Sequence, residues 1–134
     1  MVPVRTLVVD DSAAVRKSLS LLLEAQPQLE VVGTAENGRE AVDKVAELAP
    51  DVVLMDLQMP EMNGLDATMR IRCRHPAVLV IVVTTYDSAQ VRAACKRAGA
   101  DGFVPKAAGA LRILDEIERV VSSAENGDSG ENES

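Results

Sequence analysis

Five short apolar runs alternate with five segments of helical period, and that order admits few folds. The runs are Arg5 to Val9, Leu29 to Ala35, Val52 to Met55, Val78 to Val83 and Gly102 to Val104. Each is bounded by turn residues and too short for a typical helix. Val78-Leu79-Val80-Ile81-Val82-Val83 is apolar without a break, as suits a strand covered on both faces. Between the runs, apolar residues recur at helical spacing: Val15, Leu19, Leu22 and Leu23; Ala41, Val42, Val45 and Leu48; Val91, Ala94, Cys95 and Ala98; Leu111, Leu114, Ile117 and Val121. The segment from about Leu65 to Arg72 is the least clearly amphipathic. Asp11 or Ser12 can cap the first helix and Asp87 or Ser88 the fourth; Asn37 and Glu40 form a cap-like pair for the second. Pro27, Pro50, Pro76 and Gly99 mark helix ends. Strict alternation predicts an α/β domain, a doubly wound parallel sheet with helices on both faces.

The topology predicts more than a fold. Four of the runs end in reactive polar groups: Asp10-Asp11, Asp56, Thr84-Thr85 and Lys106. In a parallel sheet those ends share one edge, the edge at which ligands bind in open α/β folds. Three carboxylates, a hydroxyl and an ammonium are thereby gathered. Two carboxylates about 5 Å apart repel by roughly 3 kcal/mol at an effective dielectric near 20. Lys106 offsets part of this, and a divalent cation would offset the rest. All-oxygen donors suit Mg²⁺ or Mn²⁺ rather than zinc. A carboxylate so placed can act as a nucleophile toward phosphorus. The metal would take one equatorial oxygen and Lys106 another, with the Thr84 hydroxyl or a backbone amide after Asp56 taking the third. Asp51, Asp66, Asp87 and Asp101 read as caps or turn formers.

Composition excludes several alternatives. A net charge of −7 argues against nonspecific nucleic-acid binding. More than half of that excess sits in Glu125, Asp128, Glu131 and Glu133. After Val121 the apolar pattern lapses, so the expectation is one domain over residues 1–122 and a disordered acidic tail over 123–134. No apolar run is long enough to cross a bilayer, and Cys73 and Cys95 have no metal-like spacing. A cytoplasmic protein with no membrane and no direct nucleic-acid contact is expected. Gly-x-Gly-x-x-Gly does not follow the first strand, so the dinucleotide fingerprint is absent.

The motifs Val8-Val9-Asp10-Asp11-Ser12, Leu54-Met55-Asp56-Leu57-Gln58-Met59-Pro60-Glu61-Met62-Asn63-Gly64, Val83-Thr84-Thr85 and Gly99-Ala100-Asp101-Gly102-Phe103-Val104-Pro105-Lys106 closely resemble the receiver domain of two-component response regulators. The resemblance runs from about Val4 to Val121. It implies a flavodoxin-like sheet of five strands in the order 2-1-3-4-5 with five helices. It further implies that Asp56 is the phosphoacceptor, supplied by a histidine kinase or phosphotransfer protein. Asp11, Asp56 and the backbone carbonyl of Gln58 would ligate Mg²⁺, with Asp10 acting through a metal-bound water. Lys106 would pair with the phosphate. Thr84 would move onto it, and Phe103 would be the aromatic switch that turns inward. The family usually has Pro after the lysine, often through a cis bond; Ala107 stands there instead.

On this reading the chain is a phosphoacceptor signalling domain with self-catalysed chemistry only, not a turnover enzyme. The changed surface, including Tyr86, Arg92, Lys96 and Arg112, would carry partner binding or a homodimer formed on phosphorylation. Lys106 without a following Pro, and Gly64-Leu65-Asp66-Ala67-Thr68, look most like receivers joined to helix-turn-helix domains, which favours control of transcription. The first half also resembles receivers joined to methylesterase domains. A stand-alone phosphate sink or chemotaxis-like switch is the alternative. A haloacid-type phosphatase is remote, since Gln58 stands where its second Asp belongs. His75 reads as a turn residue and Cys95 as core. Arg16 and Lys17 are a solvated face or part of a kinase-docking surface, and Met59 and Met62 core or docking surface.

Overall fold

A computed structural model describes residues 2–58 and 62–126. The elements are β1 (Val4–Val9), α1 (Ala13–Glu24), β2 (Leu29–Ala35), α2 (Gly38–Leu48), β3 (Val52–Met55), α3 (Gly64–Arg74), β4 (Leu79–Thr84), α4 (Ala89–Arg97), β5 (Gly102–Pro105) and α5 (Ala110–Glu125). All strand pairs are parallel, in the order β2-β1-β3-β4-β5. This is the flavodoxin-like order that the resemblance implied.

The alternation of side chains along a strand splits the core into two layers. Leu7, Val9, Val53, Met55 and Val80 face Ala41 and Val45 of α2 and Ala67 and Ile71 of α3. Val8, Val52, Leu54, Ile81, Val83 and Val104 face Leu23 of α1 and Ile113, Ile117 and Val120 of α5. β1, β3 and β4 contribute to both layers, which explains why β3, and β4 as far as Val83, are apolar without a break. Leu54 is 1% exposed, and truncating it to Ala would cost about 2–5 kcal/mol.

Two open choices at helix starts are resolved. Ser12, not Asp11, caps α1 through Val15 N–H, and Ser88, not Asp87, caps α4 through Val91 N–H. Asn37 caps α2, while Glu40 reaches back to the N–H of Glu36. α3 begins at Gly64 with Asn63 as its cap and runs to Arg74, longer than its weak apolar face announced. It buries only Gly64, Ala67, Thr68 and Ile71, and small residues give little periodicity. α5 continues to Glu125, past the boundary at residue 122. Its last buried residue is Val120, so the final turn is exposed and leaves no apolar trace in the sequence. Residues 127–134 of the expected tail lie outside the described residues, as do Met59, Pro60 and Glu61.

β5 is the terminal strand, and its outer edge is closed. Phe103 turns its N–H away from β4 and donates it to Glu116 of α5 at 3.0 Å. Pro105, two residues on and facing the same way, has no N–H to offer. That edge therefore presents no free donor at Phe103 or Pro105, which discourages strand addition.

Candidate functional site

Asp10 lies just past the last residue of β1, and Asp56 just past β3, its neighbour in the sheet. The Asp56 N–H donates to Val9 carbonyl at 3.0 Å, which fixes the two carboxylates side by side. Asp10 and Asp56 are 2% and 5% exposed; Asp11 is exposed. Oxygens from Asp10, Asp11 and Asp56 all lie within 4.8 Å of one another. Lys106, in the 3₁₀ turn Lys106–Ala108 after β5, donates to Asp10 Oδ2 at 2.7 Å and stands 3.7 Å from Asp56 Oδ1. Of the five side chains expected to gather, Asp10, Asp11, Asp56 and Lys106 come together, while the Thr84 hydroxyl bonds in the turn after β4. No cis peptide bond occurs among the described residues, and Ala107 sits inside the 3₁₀ turn.

The electrostatics follow from that crowding. Burial, then the neighbouring Asp10 charge, push the Asp56 carboxyl from 3.8 up to about 6. Lys106 and the backbone amides of Gln58 and Leu57 pull the other way without prevailing. Partial burial works against the Lys106 ammonium, but its hydrogen bond to Asp10 and the charges of Asp56, Asp10 and Asp11 outweigh this and hold its pKa above the ordinary value. One cation thus does not satisfy three carboxylates. The donor set is all oxygen, partly open to solvent at Asp11, and short of positive charge, so these residues fit a hard divalent cation.

The supporting contacts are local. Asp10 Oδ1 accepts the Ser12 N–H at 2.9 Å, and its carbonyl accepts from Arg16 Nη1 at 2.8 Å. Arg16, read as surface, therefore braces the β1–α1 turn. Gly64 packs its Cα on the carbonyl of Asp56, where a Cβ would clash with backbone. Its N–H donates to Leu57 carbonyl at 3.1 Å, closing the loop after the acceptor. Only the Gly in the motif signalled this contact.

Thr84 and Phe103 have partners outside the acidic cluster. Thr84 ends β4, is fully buried, and its Oγ1 accepts the Tyr86 N–H at 3.2 Å. Phe103 stands on β5 opposite Val82, on the sheet face that Thr84 also occupies. Its ring lies 4.5 Å from the Arg92 guanidinium of α4. Sequence reasoning did not find Glu116. It is a 5%-exposed carboxylate bound by Arg119 at 2.9 Å and by the Phe103 amide. Only its position one residue before Ile117 on an apolar helix face could have marked it. The Arg119 hydrogen bond chiefly, against some burial, and with the Phe103 amide and Arg112, lowers its carboxyl from 4.5 to about 2. Arg92, Lys96 and Arg112 line a groove of about 470 Å³ with Phe103 and Glu116, between α4 and α5. Tyr86 is exposed but is not among the residues lining that groove. His75 ends α3, and Cys95 is buried.

Three carboxylates and a lysine on one edge of a parallel sheet define an α/β protein with an acidic pocket, and sequence similarity identifies the family. The model of the response regulator receiver domain matches residues 6–118, and the chain belongs to that family. A protein-glutamate methylesterase/protein-glutamine glutaminase of Geobacillus kaustophilus (strain HTA426) is 47% identical over 114 residues, 84% of this chain and 33% of that protein. The transcriptional regulatory protein LnrK of Bacillus subtilis (strain 168) is 37% identical over 119 residues, 89% of this chain and 54% of that one. In structure, the response regulator domain of Thermotoga maritima CheB aligns with a TM-score of 0.81 at 38% identity, covering 95% of this chain and 99% of that one. The chain spans about a third of the length of the methylesterase relatives it matches. Among the described residues no helix is long and apolar enough to cross a membrane.

Proposed function

We propose that the chain accepts a phosphoryl group on Asp56 from the phosphohistidine of a histidine kinase or phosphotransfer protein. The observation that carries this reading is the placement of Lys106 2.7 Å from Asp10 and 3.7 Å from Asp56, beside a cluster that Asp11 completes. Asp56 Oδ attacks phosphorus, the P–N bond to the donor histidine breaks, and the imidazole leaves with the bonding pair. Bound Mg²⁺ or Mn²⁺ would neutralise charge on the phosphoryl oxygens. Asp11 and Asp56 would hold it directly, with the Gln58 carbonyl, and Asp10 through water. Lys106 is positioned to leave Asp10 and pair with the incoming phosphoryl group. The Gln58 and Leu57 amides, already directed at Asp56, can take another oxygen. Thr84 then moves toward the phosphate and Phe103 turns inward, altering the α4–β5–α5 face. The acceptor chemistry is the protein's own and cytoplasmic.

For the output, the greater identity of the methylesterase relatives favours a chemotaxis-type methylesterase partner or domain over the transcriptional one that Gly64 to Thr68 favoured. Homodimer formation on phosphorylation belongs to the same face. A labelled phosphohistidine donor tests the acceptor step. Label should move to the wild-type chain and not to Asp56→Asn. Label retained by Asp56→Asn would overturn the assignment.

A further inference from the structure

The groove between α4 and α5 contains an arrangement that bears on how the site is set at rest. Phe103 is held twice. Its main chain is fixed by pairing with β4 and by donation of its N–H to Glu116 at 3.0 Å. Its ring is covered by the Arg92 guanidinium at 4.5 Å, a cation–π contact. Arg92 is in turn held by Asp87, which accepts from its Nε at 2.7 Å.

Asp87 lies three residues beyond Thr84, in the turn that leads into α4. That turn is tied to Thr84 itself, whose Oγ1 accepts the Tyr86 N–H. A chain of contacts therefore runs from Thr84 through Tyr86 and Asp87 to Arg92, and closes on Phe103 one strand away. Because the Phe103 main chain is anchored, only its ring is free to change place. It can turn inward only by leaving Arg92. Any shift of Thr84 pulls on the turn that carries Asp87, and so on the guanidinium above the ring.

We propose that Arg92 is a positioning residue that holds the Phe103 ring on the outer side of the sheet and thereby restrains phosphorylation of Asp56, with Asp87 orienting it. This rests on the phosphoacceptor reading above and adds a restraint made of this chain's own residues. A guanidinium contact made with the ring where it now lies and lost when the ring leaves α4 biases the two-state balance toward rest. At an exposed site such a contact changes the balance about two- to fivefold.

The test uses initial rates of Asp56 phosphorylation with a small acyl-phosphate donor and Mg²⁺, read by intact mass. It also uses the ring signals of ¹³C-labelled phenylalanine, since Phe103 is the chain's single Phe. Arg92→Ala should raise the rate about two- to fivefold and move the ring signals toward those of the phosphorylated wild-type chain. Arg92→Lys should fall between, Asp87→Asn should act in the same direction as Arg92→Ala, and in a Phe103→Leu background Arg92→Ala should have no effect. A folded Arg92→Ala chain phosphorylated no faster than wild type overturns the restraint. So does an equal acceleration in the Phe103→Leu background. Absence of any adduct on the wild-type chain overturns the phosphoacceptor reading, and the restraint with it.

Discussion

Lys106 Nζ is 2.7 Å from Asp10 Oδ2 and a full ångström farther from Asp56 Oδ1, so the lysine is held by Asp10 rather than by Asp56. From there Lys106 offsets only part of the burial and of the Asp10 charge that raise the Asp56 carboxyl. It also places the ammonium within a short side-chain rotation of any group that arrives on Asp56.

Replacing Lys106 with Ala strands a carboxylate that is 2% exposed. Without a divalent cation, the variant should lose about 1–3 kcal/mol of stability, read from the urea midpoint at pH 7. Millimolar Mg²⁺ should restore part of the loss. Phosphorylation should slow at least about tenfold, because a charge-assisted contact to the transferring group is gone. An unchanged rate would remove Lys106 from the mechanism.

The pH dependence of the metal-free chain has a defined sign. The folded state binds the Asp56 proton more tightly than the unfolded chain, with a carboxyl at about 6 against an ordinary 3.8. This contribution therefore makes stability fall as pH rises from about 4 to about 6, by about 3 kcal/mol in all. Asp56→Asn should be more stable than wild type at pH 8, and the difference should vanish near pH 4. Magnesium at ten times its dissociation constant adds about 1.4 kcal/mol, or roughly 3–6 °C in Tm, for wild type. It should add much less for Asp56→Asn. Equal Mg²⁺ shifts in both chains would contradict a site that includes Asp56.

Glu116 has the opposite sign. Its folded carboxyl lies at about 2 against an ordinary 4.5, so its stabilisation is present above about pH 4.5 and is lost as pH falls through about 2. Glu116→Gln should cost about 1–2 kcal/mol at pH 7, discounted because Arg112 and Arg119 are exposed, and little once the pH reaches about 2. Glu116→Ala should also free the Phe103 amide. Faster hydrogen exchange there, and concentration-dependent self-association through the opened β5 edge, are the expected readouts. Protection of that amide unchanged in the alanine variant would contradict the edge-closing role.

The strands were legible because buried parallel strands leave short apolar runs, and Asp10, Asp11, Asp56 and Lys106 each follow the end of one; the strand order came from the family resemblance alone. Helix ends were less legible. Ser12 and Asp11 are both competent caps, and the choice between them follows from Asp10 accepting the Ser12 N–H, a contact made only in the folded turn. The last turn of α5 buries nothing, so no pattern records it. Glu116 was illegible for a different reason: its partners, Phe103 and Arg119, meet it only across the packed edge of β5 and along one face of α5. The expected output rested on Gly64 to Thr68 of α3 and on Lys106 lacking a following Pro, few residues beside the greater overall identity of the methylesterase relatives.

The central claim is that Asp56 is the nucleophile. Incubation of the folded chain with a small acyl-phosphate donor and Mg²⁺, followed by intact mass, tests it most directly. The account predicts a single added phosphoryl group on the wild-type chain, absent from Asp56→Asn and absent when the metal is chelated. A folded wild-type chain that gains no mass, or an Asp56→Asn chain that gains the same mass, would contradict it.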